Sequence, residues 1–544
     1  MSRQSVLAAA VPSPEERRRR IEQERLPGNL MALLDAAADA APDALAWNFF
    51  ESGETITYAG LRDTVRRLAS GLSQAGIGSG SHVGVMLPNV AALPLTWLAL
   101  ARLGAVMVPL NIAYTARELL YVLEDGDVEH LVIDQACLPA LEALDRRPPQ
   151  LDDRRVIVLG PPQTGRRSWD GMLQDGDARF EPPPPDLDDL LNIQYTSGTT
   201  GFPKGCMLSH RYWLTIGRVA AHRDARRYER ILSATPFFYM DPQWHLLMAL
   251  HHRATLFVAR RQSASRFMEW VRRYRIQFCM LPGIVLKQPP TPQDRDNDVI
   301  RANVYGFDRA RHAELEERFD LCAREAFGMT EIGSGLSVPL EAAEMVGSGS
   351  CGLPSPFREA RIADDAGNNL PDGSIGELLI RGPGLLRGYY NKPEATAAAF
   401  HGDWFRTGDL FRRDAGGYYT IVGRVKDMIR RAGENIAARE VEAVVAALPE
   451  VLEAAAVPVP DPTRGEEVKI YVVLQPDHTR AGVPPERIVA HCAQHLAPFK
   501  LPRYIAYAAE LPKTASGKIA KGQLVGGAAD LRVGSYDRVE GNWR

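Results

Sequence analysis

Between Leu30 and Asp134 the chain alternates between two periodicities, and that alternation restricts the fold more than any other feature. Helical spacing over Tyr58 to Ala75 leads through Gly76-Ile77-Gly78 to the apolar run Val83-Gly84-Val85-Met86-Leu87. Another helix follows, then Val106-Met107-Val108-Pro109-Leu110 and later Leu131-Val132-Ile133. A strand that is apolar at every position is covered on both faces, and parallel strands need helical crossovers, so the pattern predicts a parallel α/β sheet. A second such series runs from Ile231 to Phe319. Val90 to Leu110 approaches the length of a membrane span, but Pro94, Arg102 and Gly104 interrupt it, and it reads as a buried helix running into a buried strand.

A chain of 544 residues exceeds one ordinary domain. After Gly352 the texture shifts to short strands broken by Gly and Asp, such as Gly376 to Gly382 and Gly416 to Arg424, which predicts a small β-barrel-like part. Beyond Lys426 helices (Ala438 to Leu448) mix with strands (Lys469 to Leu474). The expected fold class is therefore α/β: a large N-terminal domain of αβ-layered parallel sheets with that barrel-like part, then a small α+β C-terminal domain. The expected division is 1–425 and 426–544. Pro182 to Pro185 reads as a stiff surface linker, and the residues from Val525, which lack periodicity, as a loosely held tail.

Sixty-four Lys and Arg face 67 Asp and Glu, a net charge of -3 that gives no global attraction to nucleic acid or an anionic membrane. Any phosphate site must be local. Only nine of the cations are lysines, which leaves 64 less nine, or 55, arginines, so each lysine marks a place where a compact charge is wanted. Six scattered cysteines with no C-x-x-C pair indicate neither a zinc site nor a disulfide framework and fit a cytoplasmic setting. His245, His251 and His252 do not match a zinc spacing with a third ligand, and the N-terminus lacks the order of a secretory signal.

The strongest chemical signal is Tyr195-Thr196-Ser197-Gly198-Thr199-Thr200-Gly201-Phe202-Pro203-Lys204-Gly205, after an apolar strand and before a helix beginning near Ser209. Hydroxyls, glycines and one lysine in this strand-loop-helix setting make a phosphate cradle. It is not the kinase or GTPase loop, because Gly205 rather than Ser or Thr follows Lys204.

This loop resembles the signature of the adenylate-forming (AMP-binding) superfamily, which includes acyl-CoA synthetases. The further motifs of that superfamily follow in order. They are Phe327-Gly328-Met329-Thr330-Glu331, Gly376-Glu377-Leu378 with Gly388-Tyr389-Tyr390, Asp403 to Leu410, Gly423 to Asp427 with Gly433-Glu434-Asn435-Ile436, and Lys513 to Lys518. The resemblance implies an ATP-dependent acyl-CoA ligase that makes acyl-AMP with release of pyrophosphate and then passes the acyl group to CoA. Alternatives are an enzyme that loads a carrier protein and a non-catalytic nucleotide-binding regulator. No carrier domain follows in this chain, which favours CoA.

The resemblance also assigns residues. ATP binding falls to Thr196, Ser197, Gly198, Thr199, Thr200, Gly201, Lys204, Phe327, Gly328, Met329, Thr330, Asp409, Arg424 and Lys518. Lys518, Thr330 and Glu331 are the implied catalytic residues, with Glu331 holding Mg²⁺. Phe327 offers a face for adenine where relatives more often have Tyr, and Asp409 accepts the ribose hydroxyls. Lys426 is the implied hinge of a mobile C-terminal lid, and Gly433 lines the CoA tunnel. The acyl pocket is expected at Tyr239, Asp241, Trp244, Gly306 and Phe307. Val304 to Asp308 replaces the usual Gly-Gly-Ala loop, and Phe307 is expected to narrow the pocket. Asp241 with Gln288-Pro289-Pro290 carries a weaker resemblance to crotonobetaine/carnitine-CoA ligases. The expected ligands are a small carboxylic acid, ATP, Mg²⁺ and CoA, with no nucleic acid, no membrane span, and a homodimer as one open assembly state.

Overall fold

The computed structural model describes residues 11–544 except 197–202, 432–433, 497, 514–517 and 527–529, and leaves the side chains at 426, 430, 434 and 435 undescribed. Its chain separates into two compact units. The first holds the chain up to Thr196 with Lys204–Ala360 and Ile380–Phe405; the second holds Arg361–Leu379 and Arg406–Arg544.

The first unit contains the two expected parallel sheets. One has the order Arg167–Ser168, Val156–Leu159, His130–Asp134, His82–Met86, Val106–Pro109, Leu190–Thr196 (β1) and Lys204–Ser209 (β2), parallel throughout except for the final β1–β2 pair. Helix Ala92–Leu103 is buried at every position, which accounts for its membrane-like composition. Full burial of each of its leucines contributes about 2 kcal/mol. No helix among the described residues is long and apolar enough to cross a membrane.

The second sheet runs from Glu54–Thr57 through Leu45–Phe49, Thr255–Val258, Arg230–Ser233, Phe278–Met280 and Arg301–Val304 to Ala323–Met329 (β3), then Gly333–Ser337 (β4) and Ser350–Pro354. It is parallel from Leu45–Phe49 to β3 and antiparallel beyond. Helices His210–His222 (α1) and Met240–His252 (α2) pack against each other in this unit.

In the second unit, Ile375–Arg381, Trp404–Arg413 (β5) and Tyr419–Arg424 (β6) lie side by side. The expected barrel-like part is corrected here: among the described residues these strands form an open run and no closed barrel, because closure would need a full ring of tilted, staggered pairs. The remaining strands, including Val451–Asp461 (β7), Gly465–Leu474 (β8) and Tyr504–Tyr507 (β9), cover a separate core of Ile436, Val441, Ile470 and Ile505.

The tail also departs from expectation. Tyr536–Asp537 (β10) pairs with β9, and Asn542–Trp543 (β11) pairs with β10. Asp537 is fully buried and accepts from Arg503 Nε at 3.2 Å and Arg544 Nε at 3.0 Å. Lys469 Nζ donates to the Leu531 carbonyl at 2.6 Å, and Arg480 lies 3.3 Å from the Trp543 ring centre. Order here rests on paired charge, which apolar periodicity does not report.

Candidate active site

The hairpin β1–β2 carries the phosphate-loop signature at its connection. Thr196 stands opposite Lys204, and Thr196 Oγ1 donates to the Lys204 carbonyl at 3.4 Å. Gly205 is required by close packing, since an added Cβ would lie 2.5 Å from Ile193 Cγ2. Ser197, Gly198, Thr199, Thr200 and Gly201 lie outside the described residues. The expected strand-loop-helix order is corrected to strand-loop-strand-helix. The whole of β2 stands before α1, whose first turn is capped by Ser209 Oγ accepting from Tyr212 N at 3.3 Å. The α1 N-terminus therefore does not follow the signature segment directly.

Lys204 Nζ sits 4.0 Å above the Tyr389 ring, and the Tyr389 hydroxyl donates to Glu331 Oε1 at 3.0 Å. Ammonium, aromatic face, hydroxyl and carboxylate thus form one chain, favourable at its cation–π link and at its charged hydrogen bond. Tyr389 is 5% exposed and Glu331 7%. Burial, and then the Glu331 charge, hold the Tyr389 hydroxyl well above its usual acidity range, so it remains a donor. Glu331 and Thr330 occupy the turn between β3 and β4. The turn is held from below by Tyr212, whose hydroxyl donates to the Thr330 carbonyl at 2.9 Å. Phe327, Gly328 and Met329 end β3, with Gly328 opposite Ser334; a Cβ at Gly328 would meet the Gly333 carbonyl at 2.6 Å. Phe327 is half-buried. The first unit thus brings Lys204, Thr330 and Glu331 together through Tyr212 and Tyr389.

The second unit gathers the other assigned charges. Asp409 on β5 stands opposite Arg424 on β6, with Arg424 Nε 3.0 Å from Asp409 Oδ1. Asp409 is 3% exposed, and burial makes its carboxyl a weaker acid than usual, an effect that Arg424, then Lys518 and Arg439, partly offset. Lys518 is therefore close enough for Asp409 to feel its charge, and it is exposed. Its two lysine neighbours are engaged elsewhere. Lys513 Nζ lies 2.6 Å from Glu453, and Lys521 Nζ lies 2.5 Å from Glu442 and 3.8 Å from Asp427. Lys513 also bridges Ile519, and Ala520 N donates to the Pro512 carbonyl at 2.7 Å. Lys426 lies in the turn Val425–Asp427, and Gly433 lies outside the described residues.

The expected acyl-pocket residues belong to the first unit. Tyr239 precedes α2, is 41% exposed, and accepts from Asn111 Nδ2 at 3.3 Å. Gln243 Nε2 holds the carbonyls of Phe237 at 3.0 Å and Tyr239 at 3.1 Å, which fixes this entry to the helix. Asp241, in the first turn, accepts from Trp244 Nε1 at 3.2 Å, and burial makes its carboxyl a weaker acid than usual. Trp244 is itself buried, against His245 and Phe278. Gly306 and Phe307 donate their backbone N–H groups to the two oxygens of buried Glu325, at 3.0 and 2.7 Å. The Phe307 ring packs inward on the core beside His312. The exposed ring of that loop is Tyr305, at 45%, whose hydroxyl accepts from Asn303 Nδ2 at 3.5 Å and senses the Asp241 charge.

Tyr305, Tyr212 and the role of Tyr389 were not foreseen. The only sequence signal for them was the replacement of a glycine at 305 and the Gly-Tyr-Tyr motif at 388 to 390.

The model of the AMP-binding enzyme family matches residues 34–390, and that of the AMP-binding enzyme C-terminal domain matches 440–518. The chain belongs to the AMP-binding enzyme family. Within that family it is 32% identical over 508 residues to the sulfoacetate–CoA ligase of Cupriavidus necator, covering 91% of this chain and 97% of that protein. It is 30% identical over 519 residues to the crotonobetaine/carnitine–CoA ligase of Citrobacter koseri (91% and 98%) and 33% identical over 485 residues to the feruloyl-CoA synthase of an Amycolatopsis species (87% and 94%). The solved fatty acyl CoA synthetase of Mycobacterium tuberculosis superposes with a TM-score of 0.73 at 27% identity, covering 91% of this chain and 97% of that one. These family members are CoA ligases or synthetases, that is, AMP-forming acid–thiol ligases, consistent with acyl-AMP formation followed by transfer to CoA.

Proposed function

We propose that the chain activates a carboxylic acid with ATP as acyl-AMP, releases pyrophosphate, and transfers the acyl group to CoA. The observation that carries this is the pair of charge arrays: Lys204–Tyr389–Glu331 in one unit, and Asp409–Arg424 within reach of Lys518 in the other. Attack of a carboxylate on the α-phosphorus crowds anions together, so positioning and charge neutralisation dominate the step. Lys204 supplies a fixed charge to the phosphates beside the loop 196–201, and Thr330 a hydroxyl. Phe327 offers its face to adenine, with Gly328 and Met329 forming the adjoining backbone, and Asp409 takes the ribose hydroxyls with Arg424 alongside. Lys518 binds the incoming carboxylate and the α-phosphate.

Glu331 is a single buried carboxylate with a tyrosine donor. The described residues contain no cluster of three or more His, Cys, Asp or Glu able to hold a metal alone. A lone carboxylate fits Mg²⁺, which takes most of its ligands from water and substrate phosphates. When bound, Mg²⁺ neutralises phosphate charge.

In this reading residues 426–544 act as a lid hinged at Lys426 on residues 1–425, and Gly433 lines the path of CoA once Lys518 has withdrawn. The acid is one with a polar or charged distal end. Asp241 and the exposed residues Tyr239 and Tyr305 give the expected pocket polar groups. The six scattered cysteines, with no C-x-x-C pair among them, support a cytoplasmic setting.

Two assays test the function. Carboxylate-dependent ATP–pyrophosphate exchange without CoA, followed by CoA-dependent AMP release, is expected across a panel of aliphatic, aromatic and quaternary-ammonium acids. Acids with polar ends should be preferred over plain alkyl acids. Exchange with no CoA-dependent release would instead indicate carrier loading, and no exchange with any acid would support a regulator.

A further inference from the structure

In the first unit, α1 and α2 end at a cavity of about 280 Å³ lined by His222, Ala225, Arg226, Arg227, His251, His252 and Arg253. Its walls offer three imidazoles and three guanidinium groups but no carboxylate. The His222 ring centre lies 5.4 Å from that of His251 and 5.9 Å from that of His252. His252 is 6% exposed, and its Nε2 has no hydrogen-bond partner; Nε2 of His251 is likewise buried and unpartnered. Buried polar atoms are nearly always satisfied, so the two ring nitrogens of residues that line this cationic cavity leave hydrogen-bonding capacity unused.

The surrounding acids are committed to other groups. Asp224 accepts from Arg301 at 2.8 Å and from the Tyr228 hydroxyl at 2.7 Å, and Glu24 lies 3.1 Å from Arg218. The helix ends are also occupied. The Ala249 carbonyl receives the Tyr58 hydroxyl at 2.9 Å and the Ala254 N–H at 3.0 Å, and the His222 carbonyl receives the Ala225 N–H at 3.1 Å. The partial negative charge usual at helix C-termini is thus largely answered from within, and the cationic walls dominate.

We propose that this cavity binds a small tetrahedral oxyanion, and that it does so with uptake of protons by the histidine cluster. Burial first, and then neighbouring positive charge, hold all three imidazoles below their usual range, His251 down to about 3 and His252 to about 4. Arg218 presses on His222, His222 and then Arg218 on His251, and His222 and then Arg227 on His252, while a hydrogen bond with the Ala221 backbone and then Asp224 oppose the shift at His252 and Glu24 opposes it at His222. A dianion among the rings would reverse the dominant influence, turn imidazoles into imidazolium donors, and satisfy the orphaned nitrogens.

Sulfate is the probe, because it stays a dianion across the relevant range and any proton uptake then belongs to the protein. The full chain with saturating ATP is titrated with sulfate by calorimetry in buffers of different ionisation heat. Binding is expected to tighten at least about tenfold between about pH 8 and about pH 6, with net proton uptake. Replacing two exposed cations, Arg227→Gln with Arg253→Asn, should abolish sulfate binding while leaving pyrophosphate exchange unchanged. His252→Gln should leave weaker binding with a flattened pH dependence. Displacement of sulfate by inorganic phosphate alone would identify a free anion, and stronger displacement by a phosphomonoester a phosphorylated metabolite. No sulfate binding, binding without proton uptake, binding that survives the double arginine variant, or displacement by neither competitor would overturn the proposal.

Discussion

Lys204 and Lys518 are assigned to the same chemistry, yet the chain holds them in opposite ways. Lys204 lies on a ladder-paired strand with its ammonium over Tyr389, a ring itself tied to Glu331. Lys518 is exposed on a segment whose other lysines are fixed to Glu453, Glu442 and Asp427. The first is a charge built into a packed wall, and the second is an exposed charge to which the proposed function gives the delivering role. A two-step reaction at one carbonyl needs this division, since a cation that helps make acyl-AMP must leave before a thiol can approach.

The comparison can be attacked from several sides. Replacing the delivered charge, Lys518→Ala, should lower pyrophosphate exchange roughly a hundred- to thousand-fold, the usual loss when a preorganised donor to developing charge is removed. Glu331→Gln should lower exchange by somewhat less and shift the Mg²⁺ requirement to higher concentration, read from a metal titration. Tyr389→Phe keeps the ring under Lys204 but removes the hydroxyl. It should weaken ATP binding about tenfold, as expected for one hydrogen bond to a charged group, and Tyr389→Leu should weaken it further. If the two variants behave alike, the ring contributes nothing to holding Lys204.

The flanking lysines give smaller effects. Lys521 and Glu442 are 19% and 17% exposed at their side chains, so Lys521→Met should slow adenylation several-fold, and Lys521→Arg should restore it. Lys513 is 47% exposed, and Lys513→Met should change exchange less than about twofold.

A third lysine supplies the contrast within the second unit. Lys469 is 2% exposed, and burial pushes its ammonium down to about 8 from the usual 10.5. Above about 8 the folded chain releases this proton while the unfolded chain keeps it, so the unfolded state binds more protons and stability rises with pH up to about 10.5. Hydrogen exchange at tail amides, corrected for intrinsic rates, should therefore show modestly firmer docking as pH rises from 8, and Lys469→Met should remove that trend. A perturbed lysine here serves the fold rather than the chemistry.

Much of the scaffold was legible because double-sided burial leaves a compositional mark. Val106 to Leu110 and Leu131 to Ile133 read as apolar runs, and they fall on the strands Val106–Pro109 and His130–Asp134 of the first parallel sheet. β2 was missed because Lys204-Gly205 looks like loop, although the glycine is there for strand packing against Ile193. The docked tail was missed because Asp537 and Arg503 are far apart in sequence and their pairing leaves no periodicity. The site shows the same division. Glycines, hydroxyls and acids demanded by nucleotide chemistry sit in short motifs that can be read directly. The Tyr389–Glu331 bond spans 58 positions, and the inward turn of Phe307 depends on Glu325 capturing two N–H groups. Such pairings exist only once the chain has folded.

The central claim is that Lys518 acts in the first half-reaction and withdraws from the second. The direct test is Lys518→Ala measured in both halves on one preparation: ATP–pyrophosphate exchange with the acid, and CoA-dependent thiolysis of supplied acyl-adenylate. The account predicts that exchange collapses while thiolysis stays within about threefold of the unaltered protein. An equal fall in both halves would contradict it.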